Sequence, residues 1–197
     1  MVPIPINTLK SITDNFSDTQ KVGSGGYGDV YKAFYEGKEI AVKLLNPLQG
    51  IDDQQFINEI HNHIKAQHPN IVRFIGYCNV EEKEFIVQNG SVVPVFGKHI
   101  YKVLCFEYMH GGSLDKHLLE NSLGVDWTTH YNIIKGICDG LYYLHRQFKH
   151  PILHLDLKPS NILLDAYMNP KIADFGLSRI YTASRSHITV EVVRGAT

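Results

Sequence analysis

Apolar residues recur along the first half of the chain with spacings that separate helices from strands. Residues 7–17 mix apolar and polar positions at a helical period. A glycine-rich run follows, and residues 30–45 are then rich in β-branched and aromatic side chains, which favour strands. Because Glu36-Gly37 is a turn signal inside this run, residues 30–45 predict a β-hairpin.

The next elements are one helix and two strands that are separated by a long connection. Residues 52–67 predict a helix, since two aspartates lie in its first turn, where they favour the positive end of the helix dipole. Residues 71–78 and 101–109 are typical of strands. The connection between them, residues 79–100, is unusually long and could contain an extra hairpin. The apolar stripe of the predicted helix consists of Phe56, Ile57, Ile60 and Ile64.

A second, helix-rich part begins after Gly111-Gly112, which mark a break in the pattern. Residues 128–148 predict a long helix, and short strands and loops follow it. Gly136 and Gly140 are poor helix formers, so their presence in this helix indicates close packing against another element. The apolar face of the helix is formed by Ile133, Ile137, Leu141 and Leu144.

Composition and charge exclude several classes of function. With 197 residues and 44% apolar residues, the chain is typical of globular proteins, and a net charge of −1 gives no attraction to nucleic acid or anionic membranes. The 11 histidines are scattered without metal-ligand spacing. No apolar stretch approaches the roughly 20 residues that span a bilayer, and the N-terminus lacks a signal peptide pattern. We therefore expect a cytoplasmic chain without a transmembrane segment, associated with membranes only through partners.

The three cysteines give a consistent prediction about the compartment. Cys78, Cys105 and Cys138 lie far apart in apolar runs and are odd in number. We expect them to be buried free thiols, as is typical of a reducing environment.

A glycine-rich segment, GSGGYG at residues 23–28, fits the pattern G-x-G-x-x-G. A dinucleotide-binding turn would need a helix directly after it, whereas the residues that follow Gly28 favour a strand. The context instead fits a hairpin whose backbone N–H groups approach phosphate, although a simple glycine-rich turn is the alternative when this segment is taken alone.

Two charged residues in apolar surroundings strengthen the phosphate interpretation. Lys43 lies in an apolar strand 15 residues after Gly28, where an unpaired charge would be unfavourable. Glu59 follows 16 residues later on the predicted helix, next to the apolar stripe. A pair between Lys43 and Glu59 would satisfy both charges and hold the ammonium group toward phosphates.

A second cluster of polar residues lies in HLDLKPSN, at residues 154–161. Asp156 could accept the proton of an attacking hydroxyl, and Lys158 could screen the charge of a transferred phosphoryl group. Asn161 could ligate a metal, and Asp174 in the later DFG motif adds a carboxylate. Magnesium prefers such a set, in which few carboxylates are completed by phosphate oxygens and water.

These five motifs stand in the order and spacing typical of eukaryotic protein kinases, and the chain resembles that family over essentially its whole length. The segments HPNIVRFIGYC, FEYMHGGSLDKHL and HLDLKPSNILLD are similar to those of plant receptor-like kinases. Lys158, two residues after Asp156, resembles the Ser/Thr class rather than the Tyr class.

The resemblance implies an α+β, bilobal protein-kinase-like fold. Residues 1–19 would be an N-terminal flank. Residues 20–110 would form the N-lobe, a small antiparallel β-sheet with one helix, together with the hinge. Residues 111–197 would form a truncated, mainly helical C-lobe that ends in the activation segment.

The resemblance also implies ATP and Mg²⁺ as cofactors. The catalytic set would be Asp156, Lys158, Asn161, Lys43 and Glu59, with Asn161 and Asp174 as metal ligands. The nucleotide would be contacted by backbone groups of Glu107 and Met109, and Phe106 would be the gatekeeper. The other positions implied to contact the nucleotide, besides Lys43 and Asp174, are Val22, Gly23, Ser24, Gly25, Gly26, Tyr27, Gly28, Val30, Ala41, Asp115 and Leu163.

Three departures from the family pattern bear on activity. Leu155 stands where many kinases have an arginine that pairs with a phosphorylated activation loop, and residues 79–100 are longer than usual. Ala196 stands where threonine is expected, and the sequence ends one residue later. The hydroxyl residues that could be phosphorylated are Thr182, Ser184, Ser186 and Thr189.

Two functional hypotheses follow from this set of residues. The first is an enzyme that transfers the γ-phosphoryl group of ATP to Ser or Thr hydroxyls of a protein substrate. The alternative is a non-catalytic kinase fragment that binds nucleotide, or a partner kinase or receptor, without turnover.

Overall fold

A six-stranded sheet forms the first part of the chain in the computed structural model, which describes residues 2–25, 28–46, 53–88, 91–119, 126–175 and 179–180. The elements are β1 (Val2–Pro3), α1 (Ile6–Ile12), β2 (Lys21–Gly25), β3 (Gly28–Tyr35), β4 (Lys38–Leu45), α2 (Asp53–Lys65), β5 (Phe74–Gln88) and β6 (Ser91–Glu107). The strands of the sheet follow the order β1-β5-β6-β4-β3-β2, and all neighbouring pairs except β1 with β5 are antiparallel.

The two faces of this sheet bury different sets of residues, as the alternation of side chains along a strand requires. One face packs against the N-terminal flank, and its core includes Ile4, Leu9, Ile40, Val42 and Cys105. The other face packs against α2, and its core includes Leu45, Phe56, Ile60, Leu104 and Phe106. The strand that carries Lys43 is therefore covered on both sides.

The N-terminal flank is joined to the sheet by backbone and side-chain contacts. β1 pairs in parallel with β5, and Lys10 Nζ on α1 lies 2.5 Å from Glu82 Oε2 on β5. Phe16 contacts the rings of Tyr31 and Tyr101, with centroid distances of 5.5 and 6.1 Å. The helix predicted within residues 7–17 is present as α1, although it begins and ends earlier.

The extra hairpin that we expected within residues 79–100 is present as the outer part of β5 and β6. The two strands remain paired from Phe74 and Phe106 as far as Gln88 and Ser91. This region is therefore strand rather than loop in its described residues. β4 pairs with β6 only near the base of the hairpin, up to Val103, so its outer part is a two-stranded ribbon.

The second part of the chain contains helices and two small sheets. The elements are β7 (Gly112–Ser113), α3 (Leu114–Leu119), α4 (Trp127–Arg146), β8 (Ile152–Leu153), β9 (Ile162–Leu164), β10 (Pro170–Ile172) and β11 (Arg179–Ile180). One sheet has the order β10-β9-β7, and the other pairs β11 with β8. The predicted α+β fold, with a sheet-rich first lobe and a second lobe that contains the long helix, is confirmed. None of the described helices has the length and apolar character needed to cross a membrane.

The long helix α4 packs closely against the segment before β5 and against β10, as its two glycines predicted. A Cβ atom built on Gly136 would lie 2.6 Å from both Asn70 Nδ2 and Pro170 Cγ. One built on Gly140 would lie 2.9 Å from Ile172 Cδ1. These distances are shorter than van der Waals contact, so no larger residue fits without a shift.

Two sequence predictions about burial were wrong. Ile57 and Ile64 lie within the predicted stripe of α2, but 41% and 38% of their surfaces are exposed, so the buried face is narrower than expected. Cys78 and Cys105 are buried free thiols, whereas Cys138 is exposed because it lies on the outer face of α4. Position in an apolar run therefore did not determine burial.

We predict that Gly136→Ala destabilises the protein, although alanine is the better helix former by about 1 kcal/mol. The added methyl group would displace Pro170 and the Asn70 amide, which donates to Pro170 O at 2.9 Å. Overpacking of this kind costs about 1–3 kcal/mol. Thermal unfolding should show a lower midpoint for Gly136→Ala and an unchanged or higher one for Asn132→Ala on the exposed side of α4. A raised midpoint in Gly136→Ala would contradict the close packing.

Candidate active site

The glycine-rich segment forms the ends of β2 and β3. Ser24 is paired with Asp29 and Gly25 with Gly28, while Gly26 and Tyr27 lie outside the described residues. Gly28 has φ of 144°, and a Cβ atom there would lie 2.1 Å from Leu44 O, so only glycine fits. Ser24 Oγ donates to Asp29 Oδ1 at 2.6 Å and lowers the pKa of that carboxyl group.

Lys43 is the point at which three parts of the chain meet. Its Nζ lies 3.4 Å from Glu59 Oε1 on α2 and 3.1 Å from Asp174 Oδ1 on the loop after β10. The side chains of Lys43 and Glu59 are only 14% and 5% exposed. The pairing predicted from the sequence is therefore present, and the structure adds Asp174 as a second carboxylate on the same ammonium group.

The charges of this cluster are set by burial and by the excess of carboxylates. Burial acts to lower the pKa of Lys43, but the adjacent Glu59 and Asp174 more than offset it, so the pKa of the ammonium group is raised. Burial raises the pKa of Glu59, and the charge of Asp174 adds to that shift while Lys43 opposes it. Lys43 is thus a permanently charged cation at neutral pH, and it holds two carboxylates together.

Asp156 is held by contacts within its own loop. Its Oδ2 accepts from Asn161 Nδ2 at 2.9 Å and lies 3.0 Å from Lys158 Nζ. Asn161 Nδ2 also donates to the backbone oxygen of Asp156, at 2.8 Å. Because both N–H bonds of Asn161 point to Asp156, its Oδ1 is the side-chain atom that could ligate a metal.

His154 fixes the loop that carries Asp156 against the loop that carries Asp174. Its Nε2 lies 2.9 Å from Ala173 O, a carbonyl, so this nitrogen carries the proton and donates. Its Nδ1 therefore accepts from the backbone N–H of Asp156, at 3.3 Å. Burial lowers the pKa of His154, which favours this neutral tautomer.

Both loops contain a non-glycine residue with positive φ. Leu155 has φ of 65° and Asp174 has φ of 64°. Such conformations are unfavourable by about 1–3 kcal/mol each and persist where surrounding contacts fix the backbone, often at functional sites. Here the His154 and Lys43 contacts supply that constraint.

The residues implied to surround the nucleotide lie along the same face of the sheet and beside the hinge, residues 108–111. Val30 is paired with Lys43, and Ala41 with Phe106, which places them on the α2-facing side. Met109 is buried, and the half-buried Leu163 packs against the same core. Val22 is 43% exposed.

Asp115, at the start of α3, has a buried Oδ1 without a hydrogen-bond partner among the described residues. A buried acceptor of this kind is unfavourable unless a donor reaches it, so the position fits a ligand hydroxyl group.

The donor set fits a magnesium ion only together with ligand oxygens. No cluster of three or more His, Cys, Asp or Glu side chains that could hold a metal occurs within the described ranges. Asn161 Oδ1 and the Asp174 carboxylate are hard oxygen donors of the type that Mg²⁺ prefers, and phosphate and water would complete its coordination.

His63 is a site residue that the sequence interpretation missed. It follows Glu59 by one helical turn, is 2% exposed, and neither ring nitrogen has a hydrogen-bond partner in the described structure. Its ring centroid lies 4.5 Å from Phe175 of the DFG motif and 4.8 Å from Phe106. The spacing of four residues from Glu59 was the available signal, but the histidines were considered only together, as scattered residues without metal-ligand spacing.

Comparison with known proteins identifies the family. Residues 16–195 match the protein kinase domain, so the chain belongs to the protein kinase domain family. It is 42% identical over 193 residues to a G-type lectin S-receptor-like serine/threonine-protein kinase of Arabidopsis thaliana, covering 96% of this chain and 22% of the relative. It is 41% identical over 186 residues to cysteine-rich receptor-like protein kinase 28 of the same plant, covering 93% and 25%.

These relatives support the predicted resemblance to receptor-like Ser/Thr kinases of plants. The chain spans about a quarter or less of the length of the curated relatives it matches. The possible phosphorylation sites at residues 182–189, together with Gly176 and Ala196, lie outside the described residues.

We predict that His63 makes stability depend on pH. Burial, followed by the charge of Lys43, lowers the pKa of His63 from 6.5 to about 3. As the pH falls from 6.5 toward 3, His63 binds a proton in the unfolded chain but not in the folded protein, so the free energy of unfolding decreases. The decrease is about 1.4 kcal/mol at pH 5.5. Denaturant unfolding at pH 7.5 and 5.5 should show a smaller loss in His63→Leu than in the wild type.

The matched control for this prediction is His61→Gln, which changes an exposed histidine on the same helix. It should lose as much stability as the wild type between the two pH values. Equal losses in His63→Leu and the wild type would contradict the prediction.

Proposed function

We propose that the chain transfers the γ-phosphoryl group of Mg-ATP to Ser or Thr hydroxyl groups of a protein substrate. The observation that carries this proposal is the position of Lys43 between Glu59 and Asp174, which brings a buried cation and a potential metal ligand together. Phosphoryl transfer depends chiefly on such positioning and charge neutralisation.

On this proposal, Lys43 neutralises phosphate oxygens of the bound nucleotide. Glu59 orients the ammonium group from α2 and keeps it charged in a buried place. The backbone N–H groups of the glycine-rich segment, residues 23–28, would approach the same phosphates, because Gly23, Gly25 and Gly28 carry no side chain to block them.

Asp156 acts as the base that accepts the hydroxyl proton of the substrate. Asn161 donates one hydrogen bond to its carboxylate and one to its backbone oxygen, so one orientation of the carboxylate is favoured before substrate arrives. Lys158, 3.0 Å from the same carboxylate and 43% exposed, is placed to neutralise the charge of the phosphoryl group during transfer.

Asn161 Oδ1 and the carboxylate of Asp174 would hold the magnesium ion. When bound, Mg²⁺ neutralises phosphate charge and orients the phosphate oxygens. The loop of Asp174 is anchored for this task by the contact between His154 and Ala173 O.

The nucleoside would lie between the sheet and the hinge. Asp115 Oδ1, which has no hydrogen-bond partner in the described part of the chain, supports a hydrogen bond from a ribose hydroxyl. Backbone groups of Glu107 and Met109 would bind adenine. The side chains of Val22, Val30, Ala41 and Leu163 would line the adenine slot.

We propose a division into a flank (1–19), an N-lobe with hinge (20–110) and C-lobe residues (111–197). The names of the relatives describe receptor-like kinases, which motivates a receptor or a second kinase as a partner and a cytoplasmic site of action.

We predict that Asp156→Asn lowers phosphoryl transfer at least about a hundredfold, since a general base contributes 10²–10⁴-fold to rate. The measurement is transfer of labelled γ-phosphate from Mg-ATP to a mixture of Ser-, Thr- and Tyr-containing peptides. Asp139→Asn, an exposed aspartate on α4, should retain activity. Absence of transfer by the wild type, with nucleotide bound, would support the non-catalytic alternative.

Nucleotide binding should separate the roles of the two aspartates. Mg-ATP at a hundredfold excess over Kd should raise the free energy of unfolding of the wild type by about 2.7 kcal/mol. Asp156→Asn should keep this stabilisation, because Asp156 acts on the substrate hydroxyl. Asp174→Asn should lose most of it, because a metal ligand is weakened. Equal stabilisation of both variants, measured by thermal unfolding, would refute the assignment of Asp174.

A further inference from the structure

The outer surface of the hinge carries a network of four side chains that the proposed function does not use. Lys32 on β3 and Glu39 on β4 form an ion pair, with 2.6 Å between Lys32 Nζ and Glu39 Oε1. The other two members, Tyr108 and His110, belong to the hinge and contact this ion pair. They are the residues directly before and after Met109, whose backbone is expected to bind adenine.

Tyr108 and His110 contact different members of the ion pair. Lys32 Nζ lies 4.5 Å from the centroid of the Tyr108 ring, which is a cation–π contact. Nε2 of His110 contacts Oε2 of Glu39. The two hinge rings also meet edge to face, with centroids 5.1 Å apart. The network is therefore closed, because each of its members contacts two others.

The donor and acceptor in the contact between His110 and Glu39 follow from the charge of the carboxyl group. Hydrogen bonds from Lys32 and from His110 lower the pKa of Glu39, so the group is a carboxylate at neutral pH. A carboxylate can only accept, so Nε2 of His110 carries a proton and donates. Because the side chain of His110 is 49% exposed, we expect this contact to contribute little to the free energy of unfolding.

Backbone hydrogen bonds fix the two ends of the hinge. Directly before it, Glu107 N donates to Arg73 O at 3.0 Å, and at its last residue Gly111 N donates to Leu164 O at 2.8 Å. Residues 108–110 make fewer such bonds. The position of this middle part therefore depends on the side-chain network.

Met109 is the hinge residue whose backbone this network can align. Its side chain is buried in the core, whereas Tyr108 and His110 contact β3 and β4. Its carbonyl oxygen accepts from Gly112 N at 3.3 Å, but its N–H has no acceptor among the described residues. A backbone N–H without a partner is uncommon, so this group is open to a ligand acceptor.

We propose that His110, held by Glu39, is a positioning residue that aligns the Met109 N–H with adenine and so sets the preference for adenine over guanine. This role rests on the proposed function, since it concerns the same nucleotide site. Adenine presents an acceptor nitrogen beside its amino group, whereas guanine presents an N–H group beside a carbonyl oxygen. A fixed N–H donor discriminates between them, because it would face a second donor in guanine.

The test compares the Kd of Mg-ADP with that of Mg-GDP, each measured by displacement of a fluorescent ADP analogue. The two ligands share ribose and phosphates, so the ratio of their Kd values reports contacts to the base. His110→Leu should weaken ADP binding about three- to tenfold, as expected for one misaligned hydrogen bond, and GDP binding less than about twofold. The preference for adenine should fall accordingly.

His110→Gln distinguishes positioning from a general structural role. The glutamine amide N–H group can donate to the same carboxylate oxygen, so this variant should keep the wild-type ratio. Glu39→Ala should lower the preference as His110→Leu does, and the double variant should be no worse than the weaker single variant, because one contact can be lost only once. Thermal unfolding should give His110→Leu a midpoint close to that of the wild type.

Lys10→Met is the matched control, because it removes the ion pair between Lys10 and Glu82 on the outer part of the sheet. It should leave both Kd values unchanged. An unchanged ratio in His110→Leu, or a loss in His110→Gln as large as in His110→Leu, would overturn the positioning role. A wild-type protein that does not bind ADP would instead overturn the proposed function, and the role of His110 with it.

Discussion

A buried ammonium group cannot remain charged without a partner, and this constraint on Lys43 organises the structure around it. Its strand is covered on both faces, so solvent cannot compensate the charge. Glu59 and Asp174 do so instead, from a helix and from a loop 131 residues away in sequence. Removing the ammonium group would leave two neighbouring carboxylates without a cation, and breaking a buried pair in this way costs about 3–5 kcal/mol. The correct placement of α2 and of the second lobe is therefore coupled to this one side chain.

A chain of ring contacts reaches across both lobes beside the charged cluster. The ring of His154 lies 5.1 Å from Phe175, which lies 4.5 Å from His63, which in turn lies 4.8 Å from Phe106. His154 also fixes the backbone next to Asp156 and Ala173. Packing of these rings adds to the hydrogen bonds and the Lys43 ion pair that hold the two loops around the left-handed backbone of Leu155 and Asp174.

The predictable features were those that repeat locally or match a motif. Helical periodicity located α2 and α4, and the two glycines of α4 indicated its close packing. Contacts between distant segments were not predictable from local pattern: the Lys171 partner of Glu107 lies 64 residues away. Exposure of Cys138 depends on which side of α4 has neighbours. The outer ribbon was harder to assign, because polar residues and glycine in residues 79–100 are typical of both loops and two-sided ribbons.

Asp174 is the point at which the two organising interactions meet. The first lobe holds its carboxylate through Lys43, and the second lobe holds its backbone through β10, which the pair between Lys171 and Glu107 ties to the hinge. Fixing a group from two sides improves its alignment, because movement of Asp174 toward either lobe would break contacts with the other.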